Sequence, residues 1–222
     1  MKIELIPVVE ITNYDNDIPL PSEGPYWKFI EDWENYRNQT NLETGFSEDL
    51  KPYFKGSSLY RINEISDEDL LKLIQKEINF EDEDDENLSI EDLNSPLNGG
   101  YILKIDGINK YFPQCCSDLG DITEWDDLLD DEDNNFYMGH PSPKIEKTQN
   151  TIIFDFLNSQ IQENYAPPIL ENQITVDKEK LATAIQEAKK ELEIFAKKLI
   201  KINESENLNI PNIEKIFVYR NI

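Results

Sequence analysis

Apolar positions recur along this chain with two different periods, and the switches between them mark its elements. Residues 2–11 read as a strand with Pro7 inside it. A proline donates nothing to a ladder, so that strand is expected at a sheet edge or divided at a bulge. Residues 101–105 and 108–112, joined by Asp106-Gly107, predict a hairpin with a type I′ turn, because that turn needs positive φ at both central positions. Residues 144–147 and 151–156, joined by Thr148-Gln149-Asn150, predict two more strands. Residues 59–62 form a short strand candidate, and 216–219 a final one.

Helical spacing appears in four places. Pro25 suits the first turn of a helix carrying Trp27, Phe29, Ile30 and Trp33. These aromatics at helical spacing are read as core and not as a ligand cage. Ser66 is an N-cap with Asp67, Glu68 and Asp69 in the first turn, followed by a stripe of Leu70, Leu71, Ile74 and Ile78. Ser117 or Asp118 caps a helix through Ile122, Trp125, Leu128 and Leu129. After Pro167-Pro168, Asp177 caps a long helix over 177–203. Its apolar residues Leu181, Ile185, Ala188, Leu192, Phe195, Leu199 and Ile202 form a heptad seam. Three heptads are short for an independent coiled coil, and Ala188 and Phe195 fill the seam unevenly, so packing within a monomer is expected. The predicted fold is α+β: a mostly antiparallel sheet, short helices, and one long C-terminal helix packed on it. A single domain over 1–222 is expected, with 81–98 an acidic linker.

Charge adds direction to this picture. The formal net charge is −25, and two windows without a basic residue carry most of it. The stretch between Lys76 and Lys104 holds nine carboxylates, as does the stretch between Lys110 and Lys144, whereas 177–203 has seven Lys against five acids. Segregated charge makes a directional field that attracts a basic partner. It opposes phosphate binding and anionic membranes, so neither nucleic acid nor membrane is an expected partner. Glu81–Glu86 and Asp130–Asp133 both begin just past predicted helix C-termini, where each exposed carboxylate costs up to about 0.3–1 kcal/mol against the macrodipole. A local rule broken without a nearby cation points towards function; the plain alternative is a pair of solvated loops.

Candidate chemistry is sparse. The opening residues 1–6 hold no apolar run of signal-peptide length, and no segment approaches a membrane span. The two cysteines, Cys115 and Cys116, are adjacent; a disulfide between them would be strained, which favours a reducing cytoplasm. With His140 they suggest a zinc set or a Cys116–His140 dyad. Structural zinc wants four ligands, adjacent cysteines are poorly placed to share one metal, and no third group is evident to orient the histidine. Buried small thiols and a surface turn are the expectation. Residues 126–135 are rich in oxygen ligands but lack the alternation, turn glycine and closing glutamate of a calcium loop. Nothing selects two catalytic carboxylates among the 46 acids. No metal and no cofactor are implied.

Tyr111-Phe112-Pro113-Gln114-Cys115-Cys116-Ser117-Asp118-Leu119, then Trp125, then Gly139-His140-Pro141-Ser142-Pro143, resembles small bacterial proteins grouped with toxin-neutralising immunity proteins. The resemblance covers about 35 residues and implies a cytoplasmic, acidic, non-enzymatic protein that binds a basic toxin domain. The expected contact surface is Asp118, Asp121, Trp125, Asp126, Asp127, Asp130, Asp131, Asp133 and Tyr137. The acids would speed association, and a few aromatics would hold the complex. A DNA mimic, a hydrolase, or a scaffold whose charge serves solubility alone are the alternatives.

Overall fold

A computed structural model describes residues 1–14, 17–84, 96–130, 136–159 and 163–220, with side chains described throughout these except at 79–84. The fold is α+β, with two sheets and a long C-terminal helix packed on the sheet. In chain order the elements are β1 (Ile3–Glu10), α1 (Ile30–Glu43), β2 (Leu59–Arg61), α2 (Asp67–Asp84), β3 (Gly99–Ile105), β4 (Ile108–Tyr111), α3 (Ile122–Asp127), β5 (Lys144–Lys147), β6 (Thr151–Asp155), β7 (Gln173–Asp177), α4 (Lys178–Ser205) and α5 (Ile213–Phe217). The single domain expected over 1–222 contains an internal division into two compact units. One is Met1–Val8 with Pro96–Glu193; the other is Val9–Ser95 with Ile194–Ile222.

The larger sheet has the order β2-β1-β3-β4. The Asp106 amide donates to Lys2 O and the Ile11 amide to Ser58 O, so β1 runs antiparallel to both neighbours. Pro7 therefore lies in an inner, continuous strand, neither at an edge nor at a division. In the predicted hairpin, Asp106 and Gly107 have φ of 49° and 83°, as a type I′ turn requires.

In the first unit, β5-β6-β7 form an antiparallel sheet in which Ile145 opposes Phe154 and Ile152 opposes Val176. Trp125, Phe136 and Phe154 meet in one buried aromatic cluster with ring centroids 5.2–5.9 Å apart. Tyr111, Phe156 and Tyr165 make a second. The seam of α4 is buried from Leu181 to Leu192 here and from Phe195 to Ile202 in the second unit, and the Asp177 carboxylate accepts the Lys180 amide as the expected cap. β7 lies in a stretch where no strand was expected, although Ile174 and Val176 point inward and alternate with exposed Gln173 and Thr175.

In the second unit Ser66 caps α2 as expected, its hydroxyl accepting the Asp69 amide, while the buried Asp69 carboxylate takes the Ser47 amide at 2.7 Å. Three expectations are corrected here. Residues 25–29 form a turn closed by the Lys28 and Phe29 amides on Pro25 O, and α1 begins only at Ile30; Trp27, Phe29 and Trp33 are half-buried and not core. Trp33 carries Arg37 over its ring at 5.2 Å. Residues 216–219 are not a strand: Ile213, Ile216 and Phe217 are buried at helical spacing in α5. The linker expected at 81–98 is shorter at both ends. α2 runs on to Asp84, Leu97 is buried, and Asn98 bridges Asp118 in the first unit's own fold; 85–95 lie outside the described residues.

Candidate functional site

Of the nine residues expected to meet a partner, four are occupied inside the fold. Asp118 and Asp121 form a reciprocal capping box on the 3-10 turn Leu119–Asp121: Asp118 Oδ1 accepts the Gly120 amide at 2.7 Å, and Asp121 Oδ2 accepts the Asp118 amide at 3.0 Å. Such a pair satisfies amides that a helix start otherwise leaves open. Asp121 and Trp125 are fully buried. Asp126 pairs with Lys189 of α4 at 2.8 Å. Asp127, Asp130 and Tyr137 remain exposed, the Tyr137 amide lying 3.4 Å from Glu124 Oε2; Asp131 and Asp133 lie outside the described residues. The end of α3 is not without a cation. Lys147 Nζ donates to the carbonyls of Asp127 at 3.3 Å and Asp130 at 2.6 Å, which offsets the macrodipole cost that pointed to this block.

A different group of side chains converges in the same unit. Beyond β4 the buried Gln114 fixes the chain by accepting the Ala166 amide at 3.0 Å and donating to Phe112 O at 2.9 Å. Cys116 then takes φ 69°, a left-handed conformation uncommon outside glycine. Ser117 closes the turn against Gly99 O and Gln114 O. The second segment is anchored by Met138, whose sulfur receives the Trp125 indole N–H at 2.8 Å. Gly139, at φ 75°, lets that strand approach so closely that a Cβ there would sit 2.4 Å from Cys115 O. The His140 amide then donates to Cys115 O at 3.0 Å.

The result overturns the expectation of buried thiols. Cys115 and Cys116 are exposed, with their sulfurs 3.4 Å apart, and Cys116 Sγ lies 3.7 Å from His140 Nε2. On the far side of the ring, His140 Nδ1 is 2.8 Å from Glu163 Oε2. A carboxylate only accepts, so Nδ1 carries the proton and Nε2 turns its lone pair towards the sulfurs in the neutral imidazole. The Glu163 hydrogen bond, and after it the Cys116 contact, hold the imidazole pKa above its usual value. The third group that the spacing did not reveal is therefore Glu163. It lies 23 positions beyond His140 in the chain. Only the closeness of a Cys-Cys pair to a His-Pro turn signalled the site in sequence.

Chemically, a thiol, an imidazole and an orienting carboxylate in line can activate a nucleophile, and two thiols with an imidazole can bind a soft metal. Comparison of the chain with known protein families, with characterised proteins and with solved structures finds no match.

Proposed function

We propose that the chain is a non-enzymatic acidic protein that sequesters a basic protein partner, such as a toxin domain, through the surface at the end of α3. Asp127, Asp130 and Tyr137 are the contact residues in this reading. The observation that carries it is that this acidic end is anchored: Trp125 and Leu128 on the same short stretch are fully buried, while Asp127 and Asp130 face solvent. An acidic group on a fixed backbone keeps its position relative to a partner's cations, and that is what electrostatic steering and register need. Tyr137, 47% exposed, offers an aromatic anchor beside it.

The test begins with partners retained from the native host at low salt, followed by rapid-mixing kinetics on the partner retained. Asp127→Asn with Asp130→Asn is expected to slow association and flatten its salt dependence, and Tyr137→Ala to speed dissociation. Association and dissociation rates equal to those of the parent chain would refute this surface.

A further inference from the structure

We propose that Cys115, Cys116 and His140 bind a thiophilic divalent cation of the zinc class, with Glu163 positioning the imidazole. Among the described residues, these three are the group whose ligand atoms converge, all within 4.8 Å of one another. Zinc bonds of about 2.3 Å to sulfur and about 2.0–2.1 Å to nitrogen put neighbouring tetrahedral ligands roughly 3.5–3.8 Å apart. The observed separations are 3.4 Å between the sulfurs and 3.7 Å from Cys116 Sγ to His140 Nε2. The third pair, Cys115 Sγ and His140 Nε2, lies within 4.8 Å, so Cys115 closes on the imidazole by up to about 1.3 Å to seat the ion.

Sequence alone argues against such a site, since neighbouring residues in an extended chain point to opposite faces. Here the left-handed turn at Cys116 removes that alternation and brings both sulfurs to one side. A non-glycine residue in that region costs about 1–2 kcal/mol. Held strain of this kind concentrates at functional sites. The outer contact agrees as well. A metal-bound histidine characteristically gives its other ring N–H to a carboxylate, and Glu163 accepts from Nδ1 at 2.8 Å.

Three protein ligands at an exposed position leave the fourth to water or to a donor from a bound molecule. Each ligating thiol gives its proton to solvent, so binding releases protons. A catalytic dyad is the competing use of these atoms, but it employs one thiol and leaves the convergence of Cys115 without a purpose. An adjacent disulfide would instead draw the sulfurs in to about 2.05 Å and remove both donors.

The test uses the full chain without an affinity tag, reduced by a phosphine and stripped with a chelator. Titration with Co²⁺ is expected to give one equivalent with an intense near-ultraviolet thiolate-to-cobalt band and the strong visible bands of a tetrahedral site, all displaced by Zn²⁺. Cys116→Ser and His140→Ala should abolish the tetrahedral spectrum, and Glu163→Gln should weaken Zn²⁺ binding by about 10–100-fold. A pale octahedral spectrum, or binding unchanged in Cys115→Ser/Cys116→Ser, would place the metal on surface carboxylates and overturn the proposal. Absence of any cobalt band in the reduced chain, with Cys116 alkylated at a His140-dependent rate, would overturn it in favour of the dyad. The parent spectrum alone decides the donor set, so a variant that fails to fold does not leave the outcome open.

Discussion

Replacing Gly139 by alanine isolates the contact on which the thiol–imidazole cluster depends. Gly139 has φ 75°, and a Cβ added there would lie 2.4 Å from Cys115 O and 2.9 Å from Gln114 O. The backbone conformation alone costs an alanine about 1–2 kcal/mol. Relieving the overlap requires the two segments to part by about 1 Å, given that carbon–oxygen contacts in sheets settle near 3.3 Å. That displacement breaks the bond from the His140 amide to Cys115 O, worth roughly 0.5–1.5 kcal/mol net. The sum is about 1.5–3.5 kcal/mol, or about 3–14 °C in melting temperature for a chain of this size. Gly107→Ala is the matched control: φ is 83°, with nothing within 4 Å of the added Cβ, so only the backbone cost of about 1–2 kcal/mol applies. Urea unfolding followed by circular dichroism measures both. Gly139→Ala should also separate His140 from the sulfurs and lose the tetrahedral cobalt spectrum, which Gly107→Ala should retain. Equal destabilisation by the two variants would refute the reasoning, because it would mean that the close approach of the two segments contributes nothing.

Trp125→Ala is expected to destabilise by about 3–5 kcal/mol, read by urea unfolding, because the ring is fully buried against Phe136 and Phe154. Asp121→Asn keeps the volume but weakens the capping box, and Asp118→Ala removes it; each should cost roughly 0.5–2 kcal/mol in the same assay. Asp67→Asn removes a carboxylate whose pKa is lowered by hydrogen bonds from Lys201 and then Lys198, yet the site is more than half exposed and screened, so a loss under about 1 kcal/mol is expected. His140 is the chain's single histidine, so its ring signals titrate without overlap in nuclear magnetic resonance of the metal-free protein. Its pKa is raised in the fold by Glu163 first and Cys116 second, so the stability it contributes is complete below the unfolded value of about 6.5 and is lost as pH rises through the folded one. Glu163→Gln should move that titration back towards the ordinary range; an unchanged midpoint would show that Glu163 does not hold the ring.

What the sequence made legible was local. The Asp106-Gly107 turn, the strands expected at 144–147 and 151–156, the second of which ends at Asp155, the caps Ser66 and Asp177, and the heptad seam of α4 all follow from residues near one another in the chain. What failed required tertiary knowledge. Pro7 stands in a strand that the sheet order makes an inner one, and strand order is not written in the local sequence. Residues 216–219 are too short a run for their period to be read, and Ile213 completes the helical face. The cluster at Cys116 failed for two reasons at once. A positive φ on a cysteine has no marker in composition, and Glu163 is one acid among many, 23 positions from the histidine it meets.

The same distinction applies to the charge. Along the chain, acids between 118 and 133 stand apart from the lysines of α4, which suggests an acidic face and a basic helix as separate features. Folding partly cancels that separation: Lys189 pairs with Asp126, and in the other unit Lys198 and Lys201 both reach Asp67. Lys147 covers the carbonyls at the end of α3. Counter-charges distant in sequence are thus brought to individual acids, and a charge block read from sequence overstates the field it projects. The proposed contact surface is for this reason narrower than the block that suggested it. It rests on Asp127, Asp130 and Tyr137, where exposed side chains sit on a backbone fixed by Trp125 and Leu128. Asp126→Asn, by contrast, leaves Lys189 without that partner, so its effect on association should be smaller than that of Asp127→Asn even though the formal charge change is the same.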